Sequence, residues 1–248
     1  MIHDVVHPTG NPPVTLTSYA HEQKPKLVNV SRRPAVLVLP GGSYEFCSDR
    51  EGEPVAMALA GAGYQTFVLR YSVAEASTWP APLLDAEAAL QTIIDRADQW
   101  GVDPTRIAVL GFSAGGHLAA SVSLLGRVRP AATLLVYPVI MQRTLRVCRA
   151  EVHGAPALLE AVDQSCPPTF IVHSAADELV PVANSLRLAA QLADHGIPFE
   201  LHVFPGGPHG LALGTEFTST GRPEMVDRPF ASWLGLAIDW LGRQFPIG

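Results

Sequence analysis

The feature that most narrows the fold is an alternation that runs along the chain. Short runs that are apolar on both faces are each followed by a stretch of helical composition. Ala35 to Leu39 (Ala-Val-Leu-Val-Leu) is such a run, stopped by Pro40, Gly41 and Gly42. A strand with no polar face has to be covered on both sides, which is the condition of a strand inside a parallel sheet. Glu53 to Ala60 reads as a helix ending at Gly61 and Gly63, Gln65 to Leu69 as the next strand, and Leu83 to Trp100 as an amphipathic helix that stops before Gly101. Further strands are expected at Arg106 to Leu110, Ala132 to Tyr137, Thr169 to His173 and Phe199 to Phe204, and helices at Gly115 to Leu125, Val182 to His195 and Phe230 to Gln244. Strands separated by helices imply βαβ units, hence an α/β fold with a mostly parallel central sheet and helices on both faces. The N-terminal part differs. Its prolines and its alternation at Val14, Leu16 and Ser18, and again around Leu27 to Val30, predict the edge strands of a hairpin.

No change of composition, Ser/Gly linker or internal repeat divides the chain, so residues 1–248 are read as a single domain. Two long stretches fall between elements, 140–168 and 206–229. Long irregular segments in a compact domain are commonly functional, and these two are the candidates for a small or minimal lid.

Charge narrows the function. Only 16% of residues are charged, 48% are hydrophobic and the net charge is −6. That leaves no basic footprint for nucleic acid or an anionic membrane, and the expected partner is a small neutral or mildly charged molecule. Ile107 to Gly126 contains no Asp, Glu, Lys or Arg and is long enough to cross a bilayer. Its His117, three serines and four glycines argue instead for a buried strand, turn and helix. Met1 to Gly10 lacks the positive end and apolar stretch of a signal peptide, so the expected location is cytoplasmic. Cys47, Cys148 and Cys166 are odd in number and lack CxxC spacing, which fits reduced thiols and gives neither a metal site nor a disulfide framework. An edge strand or the final helix leaves room for a homo-oligomer.

Ligands of open parallel sheets sit at the carboxyl ends of strands, so the residues just after each strand carry most information. Gly111-Phe112-Ser113-Ala114-Gly115 follows one strand directly and opens a helix. This context is that of a nucleophile elbow, in which a sharp turn exposes the serine and glycines give the backbone room. The bare pattern occurs by chance in about one chain in ten of this size, so the context carries the reading. The bland alternative is a turn that binds phosphate at a helix N-terminus.

His209 lies in Pro205-Gly-Gly-Pro-His-Gly210, a loop that presents one imidazole after the strand Phe199 to Phe204. His117 is its main rival, but it rides on the helix leaving the elbow and suits a packing or supporting role. Asp177 follows the strand Thr169 to His173. Its bland reading, a charge near a helix N-terminus, would suit Glu178 equally well. The order Ser113, Asp177, His209 favours Asp177, whereas Asp163 lies in a loop and Asp194 late in a helix. Pro40-Gly41-Gly42-Ser43-Tyr44 is a glycine loop whose amides, with that of Ala114, could hold an oxyanion. Tyr44 and Trp79, near strand ends, are candidates to stack on a sugar ring, against the alternative that each is buried.

These residues resemble the α/β-hydrolase superfamily, in its small bacterial acetylesterase or acetyl xylan esterase-like branch, near the hormone-sensitive-lipase and dienelactone hydrolase groups. The resemblance runs from Ala35 to Leu241. It is carried by Trp100-Gly-Val-Asp-Pro-Thr-Arg-Ile-Ala-Val-Leu-Gly-Phe-Ser-Ala-Gly-Gly-His-Leu-Ala119, His173-Ser-Ala-Ala-Asp-Glu-Leu-Val-Pro181 and Phe204-Pro-Gly-Gly-Pro-His-Gly210. It implies Ser113 as nucleophile, His209 as base and Asp177 as the partner that orients it, with no metal or organic cofactor. The family's oxyanion loop usually reads His-Gly-Gly-Gly; here Pro40 and Ser43 replace the His and the third Gly. Gly42 and Ser43 are then the expected donors, with Gly41 shaping the turn. The activity implied is hydrolysis of short acyl esters, acetyl foremost, including acetylated carbohydrates. Hydrolysis of an amide or lactone by the same triad, and a non-catalytic binding role on the same fold, are the alternatives.

Overall fold

The computed structural model describes residues 1–24, 26, 30 and 32–246. Its strands are β1 (Val5–Val6), β2 (Thr15–Tyr19), β3 (Arg33–Leu39), β4 (Gln65–Arg70), β5 (Val102–Phe112), β6 (Ala132–Val136), β7 (Thr169–Ser174) and β8 (Phe199–Phe204). They form one eight-stranded sheet in the order β1-β2-β4-β3-β5-β6-β7-β8. Pairing is parallel from β4 through β8, and β2 joins β4 antiparallel.

The N-terminal hairpin is built differently from the expectation. Thr15–Tyr19 lies between β4 and the two-residue β1, where Val5 faces Thr17 and Val6 faces Leu16. Both edges of β2 are therefore occupied by other segments. Two residues are too short to display an alternation, which is why β1 leaves no trace in the sequence pattern. Most of the expected strand at Leu27 to Val30 lies outside the described residues.

The helices are α1 (Glu53–Gly61), α2 (Ala81–Asp95), α3 (Ala97–Trp100), α4 (Ser113–Leu125), α5 (Ala183–Asp194), α6 (Arg228–Ala231) and α7 (Trp233–Gln244). The expected helix from Leu83 to Trp100 is interrupted at Arg96, whose backbone (φ −103°, ψ 18°) leaves helical geometry. The last helical segment starts earlier than expected, because the Asp227 carboxylate accepts from the Phe230 amide at 2.8 Å and Pro229 suits the first turn.

Alternation along each strand divides the core between the two faces of the sheet. Leu37, Leu39 and Val109 pack with Leu90 and Ile93 of α2 and Leu118 and Val122 of α4. Val36, Val38 and Leu110 face the other way, toward Val55 and Leu59 of α1 and Trp233 and Leu241 of α7. Full burial of each such side chain contributes about 1.5–3 kcal/mol. The uncharged stretch from Ile107 is the end of β5 followed by α4, buried from Ser113 to Leu124. Among the described residues no helix is long and apolar enough to cross a membrane. Because β3, β5, β7 and β8 run parallel, their carboxyl ends share one edge of the sheet, and the loops that leave them converge there.

Candidate active site

Ser113 stands where β5 ends and α4 begins, with a φ of 53°. A left-handed conformation at a non-glycine residue costs about 1–3 kcal/mol and persists only when its surroundings fix it. The flanking glycines show what fixes it. A Cβ at Gly111 would meet the Gly115 carbonyl oxygen at 2.1 Å, and one at Gly115 would meet the Leu39 carbonyl oxygen at 2.1 Å. Only hydrogen at both positions lets α4 press against β5 and the end of β3, and that close approach holds the turn.

The Ser113 Oγ lies 2.8 Å from His209 Nε2, and His209 Nδ1 lies 2.6 Å from Asp177 Oδ2. A carboxylate only accepts, so Nδ1 carries the ring proton and Nε2 presents its lone pair to the serine hydroxyl. Asp177 is buried while its neighbour Glu178 is exposed, which separates the two acids that the sequence left side by side. Burial pushes the Asp177 carboxyl up. Hydrogen bonds from His173 and His209, the charge of His209 and the Val180 amide outweigh it and hold the carboxyl below the usual range. Its second oxygen accepts from the amides of Leu179 at 3.1 Å and Val180 at 2.9 Å.

His173 is part of this support, although the sequence offered it only as the end of a strand and the start of a matching segment, with no role of its own. Its Nε2 donates to the Val180 carbonyl at 2.8 Å and lies 3.5 Å from Asp177 Oδ2, while Nδ1 accepts from the Ser185 hydroxyl at 2.7 Å. The loop bearing His209 is tied down separately. Arg50 Nη1 donates to the Gly210 carbonyl at 2.8 Å, and the Tyr137 ring meets the imidazole edge-on with centroids 5.0 Å apart.

The loop after β3 folds back against Ser113. Gly42 (φ 126°), Ser43 (φ 56°) and Tyr44 (φ 60°) are all left-handed. The Gly41 amide donates to Glu51 Oε2 at 2.8 Å, so it is engaged within the loop. Tyr44 corrects an expectation. Its ring is fully buried and its hydroxyl meets His117 Nδ1 at 2.8 Å, so it cannot stack on a sugar. Trp79 is half-buried, with its ring edge-on to His117 at 5.8 Å.

His117 itself has no contact with Ser113 Oγ through a hydrogen bond; burial pushes its pKa down to about 4. An unfolded histidine titrates near 6.5, so between about pH 6.5 and 4 the unfolded chain binds a proton that the folded chain refuses. Stability is therefore expected to fall as pH is lowered through that window. Thermal unfolding measured from pH 7 to pH 4 checks this, and His117→Gln should flatten the slope; equal slopes would assign the loss to other groups.

Of the two expected lid segments, 140–168 carries short 3₁₀ turns and docks on the loop after β3. The Arg149 amide donates to the Ser43 carbonyl at 3.0 Å, and its guanidinium reaches Glu45 at 2.9 Å and Glu151 at 2.6 Å. The segment 206–229 contains His209 and two further turns, Glu216–Thr218 and Pro223–Met225. Beside the imidazole, Ala176, Glu178, Leu179, Gly207 and Pro208 line an open depression of about 500 Å³. All three cysteines are free, and among the described residues no group of three or more His, Cys, Asp or Glu is placed to hold a metal ion.

A sheet of this order with a serine at the turn after β5 invites comparison with known proteins. The family described as BD-FAE matches residues 24–134, and the prolyl oligopeptidase family matches residues 151–220. The crystal structure of MGS-M1, an alpha/beta hydrolase enzyme from a Medee basin deep-sea metagenome library, is 40% identical with a TM-score of 0.91, covering 98% of each chain. The acetyl ester-xyloside bifunctional hydrolase of Caldicellulosiruptor lactoaceticus is 31% identical with a TM-score of 0.81, over 97% of this chain and 96% of that one. The acetylxylan esterase of Xylanibacter ruminicola is 29% identical over 74% of this chain and 42% of its own length. The chain spans between 33% and 58% of the length of the first curated relatives it matches. It belongs to the α/β-hydrolase family, in its esterase branch.

Proposed function

We propose that this protein is a serine carboxylic ester hydrolase that removes short acyl groups, acetyl foremost, from neutral alcohols such as carbohydrates. The observation that carries the reading is the continuous relay from Ser113 Oγ through His209 to Asp177, at 2.8 and 2.6 Å. Ser113 Oγ attacks the ester carbonyl as His209 Nε2 takes its proton, and Asp177 stabilises the imidazolium that forms. The amides of Gly42, Ser43 and Ala114 hold the negative oxygen of the tetrahedral intermediate. His209 then protonates the departing alcohol, and the same groups direct water onto the acyl-serine. The Gly41 amide is engaged by Glu51, which leaves the next two amides of the loop for this work.

The acyl preference rests on openness. The depression beside His209 is open, and 140–168 docks on the loop after β3 through the Arg149 amide and the Ser43 carbonyl. The names of the acetylxylan esterase and the acetyl ester-xyloside hydrolase support a sugar acetate as the substrate class. Hydrolysis of p-nitrophenyl esters from acetate to octanoate tests it. The rate is expected to fall at least about tenfold along the series; a flat or rising profile would remove the acetyl assignment.

A further inference from the structure

Glu51 is a buried acid that the proposed reaction does not use. It closes the short turn Asp49–Glu51 ahead of α1, and only 3% of its surface is exposed. Among the described residues it has no ion-pair partner. A carboxylate in that setting is costly unless each oxygen is satisfied, and here both are. Oε2 accepts from the Gly41 amide at 2.8 Å, and Oε1 accepts from the Tyr137 hydroxyl at 2.7 Å. Burial, with the Glu51 charge next, pushes the Tyr137 phenol well above its usual range, so it stays a donor.

Both partners lead straight to the reacting groups. Gly41 is wedged between Glu51 and the elbow, for a Cβ there would lie 2.8 Å from Glu51 Oε2 and 3.0 Å from Ser113 Cβ. The residues that follow it, Gly42, Ser43 and Tyr44, are the left-handed run that has to be held from outside. The Tyr137 hydroxyl also accepts from the Ala212 amide at 2.8 Å, and its ring supports His209. The next residue back, Arg50, donates to the carbonyl of Gly210. One buried carboxylate thus ties the loop after β3 to the floor beneath the imidazole.

We propose that Glu51 is a positioning residue: it aims the Gly42 and Ser43 amides at the oxyanion by fixing Gly41, and couples that aim to His209 through Tyr137. The proposal rests on the serine-esterase reading. It predicts a loss confined to the transition state, because a turned amide weakens the hold on the oxyanion and leaves the ground-state ester bound as before.

The test compares wild type with Glu51→Gln and Tyr137→Phe on p-nitrophenyl acetate. Sites are counted by the end-point stoichiometry of a fluorophosphonate, so that misfolded protein is not mistaken for slow enzyme. A glutamine offers one acceptor oxygen and cannot serve both donors. Glu51→Gln is expected to lose about 10²-fold in kcat per labelled site, comparable to loss of one oxyanion donor, with KM within about threefold of wild type. Affinity for a trifluoromethyl ketone should fall in parallel with kcat. Tyr137→Phe, which keeps the Gly41 bond, should show the same pattern at about tenfold. If kcat per labelled site stays within about twofold of wild type in both variants, or if KM rises while kcat holds, the positioning role is overturned. If wild type is neither labelled nor active, it is the serine-esterase reading that fails first.

Discussion

Ser113→Ala is expected to lower turnover of p-nitrophenyl acetate about 10⁶-fold while leaving the fold intact. The change removes one hydroxyl whose hydrogen bond goes to His209 Nε2, and it leaves the packing of Gly111, Gly115 and α4 untouched. In the proposed reaction serine and imidazole act as a unit, so the cost is expected not to be additive. His209→Ala, alone or combined with Ser113→Ala, is expected to reach the same floor. What remains, about 10³-fold over water, belongs to the backbone amides and to binding. Steady-state rates of the three variants, with circular dichroism to confirm the fold, decide the matter. A double variant far slower than either single one would mean that the two side chains act separately.

Asp177→Asn is expected to cost about 10⁴-fold in kcat. The amide oxygen can still accept from Leu179 and Val180, which keeps the turn before α5 in shape. The amide nitrogen then faces His209 Nδ1 as a donor. The ring responds by carrying its proton on Nε2, where it can no longer accept from Ser113. The same substitution at the exposed Glu178 should leave kcat within about twofold, since only Asp177 reaches the imidazole. Rates of both variants on one substrate check this. Loss at Glu178 equal to that at Asp177 would contradict the assignment.

Much of the fold was legible because it depends on local pattern. Ala35 to Leu39 is apolar at every position because the residues of β3 feed two cores at once. The turn at Ser113 announces itself through glycines whose need is local, since strand, turn and helix are consecutive. That Asp177 and His209 come to one edge of the sheet was legible from the strands they follow, because parallel strands deliver the residues after them to one edge; the glycine-proline loop around His209 and the chain order Ser113, Asp177, His209 did the rest. What escaped was set by contacts between distant parts of the chain. Glu51 and Tyr137 are separated by 86 residues, and neither sits in a pattern that marks it. His173 lies inside an apolar strand and its bonds to Ser185 and Val180 depend on how α5 docks. At Tyr44 the sequence leaves a stacking ring and a buried ring both open, because an aromatic residue at a strand end looks the same whether it faces solvent or the core. Its hydroxyl is bonded to His117, 73 residues away.

The most direct measurement is the mass and position of a fluorophosphonate adduct. The protein is incubated with the reagent, residual p-nitrophenyl acetate hydrolysis is followed, and the adduct is located by peptide mass spectrometry. One phosphonyl group per chain is expected, on Ser113, appearing in step with the loss of activity, and none in Ser113→Ala. An adduct on any other residue, or full activity in a chain quantitatively modified at Ser113, would contradict the serine-esterase reading.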